Sequence, residues 1–117
     1  MEIRTTGSGI DVDSALDAYV RRSIRFALGR FSSRVERVSV VLSHENGPDG
    51  GMVKTCCFRV RLLGLPTVAI EQADFDVRAA VDRAADRIGR AVAIRLSPAV
   101  DSLRGKGKLI GLRKEQP

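Results

Sequence analysis

Residues 76–96 read DVRAAVDRAADRIGRAVAIRL, and their apolar positions recur at helical spacing. Val77, Val81, Ala84, Ile88, Ala91 and Val92 fall on one stripe, as a helix lying against a core requires. Arg83, Arg87 and Arg90 lie off that stripe. Asp74 or Asp76 would cap the first turn, where an acidic side chain also meets the positive end of the helix dipole. Ser97-Pro98 ends the pattern, because proline disfavours helical geometry in the residue before it.

A second amphipathic pattern lies upstream, from Ser14 to Phe31. Leu16, Val20, Ile24, Ala27, Leu28 and Phe31 share one side, with Arg22 and Arg25 opposite. Asp13 or Ser14 is the expected cap; Ser14 with Asp17 three residues later also fits a capping box. Ser32-Ser33 marks the expected end. Phe26 projects away from the stripe and is expected to pack against the neighbouring helix or the tail, although an aromatic so placed can also stack on an exposed RNA base.

The remaining segments alternate with period two. Glu2 to Thr6 reads as a first strand with Ile3 inward, broken by Gly7-Ser8-Gly9. Val35 to Ser43 puts Val38, Val40 and Leu42 on one face. Asn46-Gly47-Pro48-Asp49-Gly50-Gly51 is the strongest turn signal in the chain, so Val53 to Leu63 should return antiparallel. In that strand Cys56, Phe58, Val60 and Leu62 point inward, and Cys57, Arg59 and Arg61 outward. After Gly64-Leu65-Pro66, Thr67 to Gln72 forms a last short strand. The order is therefore β-α-β-β-β-α, an α+β fold with a four-stranded mixed sheet. A crossover joins the first two strands in parallel, hairpins continue antiparallel, and both helices cover one sheet face.

At 117 residues and 44% apolar, the chain suits one domain with a single core. Only 4% of residues are aromatic and tryptophan is absent, so Val, Leu, Ile and Ala must build that core. Residues 1–96 are expected to form the domain and 97–117 a basic tail carrying Arg104, Lys106, Lys108, Arg113 and Lys114. Twenty basic and fourteen acidic residues give a net charge of +6. The whole excess lies after residue 50, where thirteen Lys and Arg meet seven Asp and Glu. Sixteen of the twenty basic residues are arginine, whose planar fork suits phosphate. A genomic base-composition bias would also give many arginines. Adjacent Cys56 and Cys57 point to opposite faces of a strand and offer no disulfide framework. Neither a signal peptide nor a membrane-spanning run is evident, so a cytoplasmic protein without a membrane partner is expected.

Four stretches resemble the ribosome hibernation promoting factor family, also called ribosome-associated translation inhibitors or sigma-54 modulation proteins. They are Ile3 to Gly7, Ala15-Leu16 with Tyr19-Val20, Val38 to Ser43, and Asp76-Val77-Arg78-Ala79-Ala80-Val81-Asp82. The last is similar to the family's Asp-aromatic-Ala-Ala-Ile-Asp signature, with Arg78 at the aromatic position. The resemblance spans roughly residues 2 to 95. It implies a four-stranded sheet with two roughly parallel helices on one side. It also implies binding to rRNA of the small ribosomal subunit near the decoding region, excluding mRNA and tRNA. Longer members add a dimerisation domain, for which the residues after Leu96 are too few. Arg87 and Arg90 fall on basic positions of the family pattern; Ser23, Phe26 and Ile94 stand where many members are basic.

Arg22, Arg25, Arg83, Arg87 and Arg90 are thus the candidate RNA contacts. Spacings of three and four keep such side chains on one flank, where they can follow phosphates. Charge alone favours a solvated face with local pairs, since Asp86 precedes Arg90 and Asp17 precedes Arg21 by four residues, and the family resemblance reverses that preference. On the outer sheet face, Arg4, Arg37, Arg59 and Arg61 should share space with Glu2 and Glu71, and cross-strand charge pairing is the simpler reading. Enzyme chemistry finds little footing: His44 is the single histidine, and no metal-ligand spacing surrounds the cysteines. Gly105-Lys106-Gly107-Lys108 lacks the strand-loop-helix setting of a phosphate loop. The expectation is a non-enzymatic RNA-binding protein with no cofactor, no metal and no small-molecule substrate. The alternative is a protein-interaction module or weak homodimer on the same scaffold.

Overall fold

The run that alternates after Ser33 becomes the longest strand of the sheet, and the other elements assemble on it. In the computed structural model, which describes residues 1–47 and 50–98, the order is β1 (Glu2–Ser8), α1 (Ser14–Leu28), β2 (Val35–Asn46), β3 (Met52–Leu62), β4 (Val68–Asp74) and α2 (Val77–Arg95). The expected tail lies outside the described residues from 99 onward, as do Pro48 and Asp49 of the hairpin turn. The sheet order is β1-β2-β3-β4, with β1 parallel to β2 and the other neighbours antiparallel.

One register row explains the core. Val40 pairs with Phe58 and Phe58 with Ile70, so one face of the sheet presents a continuous apolar band. Phe58 is the largest fully buried side chain. Leu16, Val20, Ile24 and Leu28 of α1 and Val81, Ala84, Ile88 and Val92 of α2 close over that band in one cluster. Both helices therefore lie on a single sheet face, with α2 across β3 and β4 and α1 beside α2 and β1. Burying Phe, Leu, Ile and Val side chains is worth about 1.5–3 kcal/mol each, which is what fixes the helices in place.

The edges of the elements differ from the sequence expectation in ways the backbone explains. β1 continues through Gly7 and Ser8, which pair with Leu42 and Ser43, and the chain turns only at Gly9, at φ 79°. Gly7 is needed there because a Cβ would collide with the Ile10 carbonyl. β2 reaches Asn46 and β3 begins at Met52, since the hairpin closes tightly with Gly47 N–H donating to Gly51 O at 2.6 Å. Asp13, not Ser14, caps α1 by accepting from Leu16 N–H at 2.8 Å, which leaves Asp17 free of the expected capping box. The regular helix ends at Gly29 rather than at Ser32, and a single 3₁₀ turn, Gly29–Phe31, carries Phe31 down onto the core. Asp76 caps α2, while Asp74 accepts from Asp76 N–H.

The outer sheet face bears out the charge-pairing expectation in part. Glu2 bridges Arg4 at 2.9 Å and Arg37 on β2 at 3.3 Å, which holds its carboxyl below the usual range. Arg61 lies 3.6 Å from Glu36. Glu71 and Arg59 make no ion pair among the described residues.

Candidate nucleic-acid interface

Small residues let the two helices approach closely. At the crossing, a Cβ on Gly89 would sit 3.2 Å from the Ala27 carbonyl oxygen, a tight contact that would push the helices apart by a few tenths of an ångström. Ala85 and Gly89 are buried in α2, and with Ala27 they floor a groove of about 760 Å³ between the helices. Its α1 wall carries Arg22, Ser23, Phe26 and, beyond the helix end, Arg30; its α2 wall carries Asp82, Asp86 and Arg90.

One end of the groove is closed by a polar cluster. Tyr19 Oη donates to Asp82 Oδ1 at 2.5 Å, and the hydrogen bond to this carboxylate raises the phenol's pKa. The guanidinium carbons of Arg78 and Arg22 stand 4.6 and 5.6 Å from the Tyr19 ring centre. Arg78, at the aromatic position of the family signature, thus covers an aromatic ring instead of supplying one.

The five candidate arginines divide into two groups. On α1, Arg22 and Arg25 are exposed and have no carboxylate partner among the described residues. Their neighbour Arg21 takes the local acid: it lies 2.9 Å from Asp17, and its hydrogen bond depresses that carboxyl's pKa. On α2, Arg83 lies 3.7 Å from Asp74, and Arg90 lies 2.9 Å from Asp86. Arg87 donates to Gln72 Oε1 at 2.8 Å and to the Glu71 carbonyl at 3.1 Å. Arg83 and Arg87 therefore turn toward β4. The groove brings together Arg22 and Arg90 but not Arg25, Arg83 or Arg87.

Two further residues change the site. Phe26, expected to pack against the neighbouring helix or the tail, does not pack on α2 and is 93% exposed at the groove rim; the tail lies outside the described residues. The helices meet through Ala27 and Gly89, which leaves no side-chain ledge to shelter its ring. Arg30, outside the five expected contacts, lines the same groove and stacks over Phe31 at 4.6 Å. Its spacing of four from Phe26 and eight from Arg22 was the available signal.

Elsewhere little reactive chemistry is assembled. His44 Nε2 lies 2.5 Å from the Gly9 carbonyl and Nδ1 lies 2.8 Å from Met52 Sδ, tying the β1 turn to the hairpin. Burial pushes the Cys56 thiol up to about 12, so it is a thiol and not a thiolate at neutral pH. Among the described residues no group of three His, Cys, Asp or Glu could hold a metal, and no helix is long and apolar enough to cross a membrane.

Comparison with known proteins agrees with this architecture. The Thermus thermophilus Protein Y N-terminal domain is similar at 29% identity and TM-score 0.64, over 79% of this chain and 96% of that one. A ribosomal subunit interface protein from Coxiella burnetii superposes with TM-score 0.68 at 18% identity, over 81% of this chain and 97% of its own, which speaks to the fold alone. No curated protein sequence matches the chain. The model of the sigma 54 modulation protein / S30EA ribosomal protein family matches residues 3–95, and with the sheet order, paired helices and signature segment all in place, the chain belongs to that family.

Proposed function

We propose that this protein is a non-enzymatic ribosome-binding factor that occupies the small subunit near the decoding centre through rRNA contacts and so inhibits translation. The observation that carries the reading is the uncompensated arginine surface of α1. Arg22 and Arg25 project from a helix fixed by four buried residues, and neither forms an ion pair with a carboxylate among the described residues, which leaves both guanidinium groups open to a phosphate partner. Arg90, whose pair with Asp86 is largely exposed on both sides, can swing to a phosphate at little cost. Arg83 and Arg87 would have to exchange their β4 partners first. Membership of the sigma 54 modulation protein / S30EA ribosomal protein family supports a ribosomal partner.

The test is a cell-free translation system. A factor in the decoding channel competes with mRNA and tRNA for one space. It should inhibit initiation on vacant small subunits and act less on subunits already loaded. Sedimentation should show the protein co-migrating with small subunits. Equal binding to loaded and vacant subunits, with undiminished synthesis, would remove the blocking mechanism. Migration only as a self-associated species would favour the homodimer reading.

A further inference from the structure

Phe26 sits at the middle of a row. Arg22 precedes it by four residues and Arg30 follows it by four, so the ring is flanked by two cations along one wall of the groove. A single exposed apolar side chain needs no explanation by itself. This one, however, forms the rim of a groove whose opposite wall carries different chemistry. Asp82 and Asp86 present carboxylate oxygens from α2, each with lone pairs left after bonding Tyr19 or Arg90. Ser23 adds a hydroxyl, which itself donates to the Tyr19 carbonyl at 2.9 Å. The groove thus offers two cations and an aromatic face on one side, and on the other two carboxylate acceptors, one of them paired with Arg90.

We propose that the groove between α1 and α2 takes one unpaired nucleotide of RNA, with Phe26 stacked on its base, Arg22 and Arg30 at its phosphates, and the α2 carboxylates accepting from base-edge amino groups. This rests on the rRNA-binding reading above and adds to it what the site recognises. Each part follows from ligand chemistry. A nucleotide is anionic at one end and carries N–H donors at the other, matching the charge division across the groove. A paired duplex would reach the arginines but would keep its base faces stacked away from Phe26. An acidic peptide would satisfy Arg22 and Arg30 but would set its carboxylates against Asp82 and Asp86.

The experiment uses an RNA hairpin with one bulged nucleotide, the same hairpin fully paired, and vacant small subunits. Because the chain has no tryptophan, Phe26→Trp gives a single indole reporter at the rim. Its emission should be quenched by the bulged hairpin and unchanged by the paired one, with affinity within about twofold of wild type. Phe26→Ala should weaken binding to the bulged hairpin by about tenfold, the scale of one base–aromatic stack, and leave paired-hairpin binding unaltered. The ring is exposed, so neither variant threatens the fold. A bulged-to-paired affinity ratio unchanged by Phe26→Ala, or an indole blind to the bulge, overturns the stack. If Arg22→Ala with Arg25→Ala weakens subunit binding by about tenfold at the same time, the parent reading stands without it. A wild-type chain that binds neither subunits nor RNA overturns both.

Discussion

On α2, Arg83, Arg87 and Arg90 each have a polar partner, while on α1 Arg22 and Arg25 are exposed and form no ion pair among the described residues. Both helices are anchored in the same core, so the difference arises from what lies beside them. α2 borders β4, whose Asp74 and Gln72 reach its arginines, and it carries its own acid one turn before Arg90. α1 carries Asp17 one turn before Arg21, which leaves the next arginines uncompensated. Exposed pairs are worth only about 0–1 kcal/mol, so they do not lock a side chain. They do cancel charge within a Debye length of about 8 Å at physiological salt, and a phosphate sees that cancellation. A count of arginines thus overstates α2 as a docking surface.

The largest effect tests whether the two helices are equally fixed. Ile24 and Ile88 are fully buried on α1 and α2. Each truncation to alanine should cost about 2–5 kcal/mol in denaturant unfolding. A much smaller loss for one of them would mean that its helix is loosely held, and the contrast in arginine pairing would then be one arrangement among several. The crossing itself is the next test. Gly89→Val places a Cβ 3.2 Å from the Ala27 carbonyl oxygen and adds two methyl groups beyond it, and should cost about 1–3 kcal/mol, since a packed contact resists added volume. A neutral result would show that the helices can part without penalty, and that the groove has no fixed width.

Binding separates the helices directly. Arg22→Ala with Arg25→Ala should weaken vacant-subunit binding by about tenfold at low salt, and should lower the salt slope by about one for each phosphate no longer neutralised. Arg83→Ala with Arg87→Ala should change both quantities less. Equal losses would show that the α2 pairs open freely and that the contrast has no consequence for binding.

The sequence made most of the fold legible because burial imposes period two on strands and helical spacing on α1 and α2. Val38, Val40 and Leu42, Phe58 and Val60, and the stripe through Val81, Ala84 and Ile88 are all buried where that logic places them. Element ends were less legible: Gly7 looks like a breaker yet sits within β1, while Gly29, which lies inside the Ser14 to Phe31 stripe, is where α1 gives way to the 3₁₀ turn. The candidate site divided in the same way. Local pairs such as Asp86 with Arg90 and Asp17 with Arg21 follow from spacing along one helix. The contacts of Arg83 with Asp74 and Arg87 with Gln72 depend on how α2 lies over β4, which no local pattern encodes. The packing of Phe26 on the neighbouring helix was illegible for a related reason: whether a ring off the stripe finds shelter there depends on the width of the helix crossing, to which Gly89 contributes from the other helix.

The smallest expected effect comes from reversing the comparison. If carboxylates mute the α2 surface, Asp74→Asn with Asp86→Asn should release Arg83 and Arg90 and strengthen vacant-subunit binding by about twofold to fivefold at low salt, the scale of one or two surface ion pairs, while the amide oxygen introduced at position 86 still accepts hydrogen bonds in the groove. The gain should fade as salt rises, because screening already weakens the intact pairs. The double substitution also makes the chain two charges more positive, which alone would favour an anionic partner. Glu36→Gln with Glu45→Gln makes the same change in net charge from β2, where Glu36 pairs with Arg61. If the β2 variant gains as much as the α2 variant, long-range charge accounts for the effect and the local pairing of α2 does not matter. If only the α2 variant gains, its arginines are competent contacts held in check by their neighbours, and the asymmetry between the helices is set by three acidic side chains, Asp17, Asp74 and Asp86.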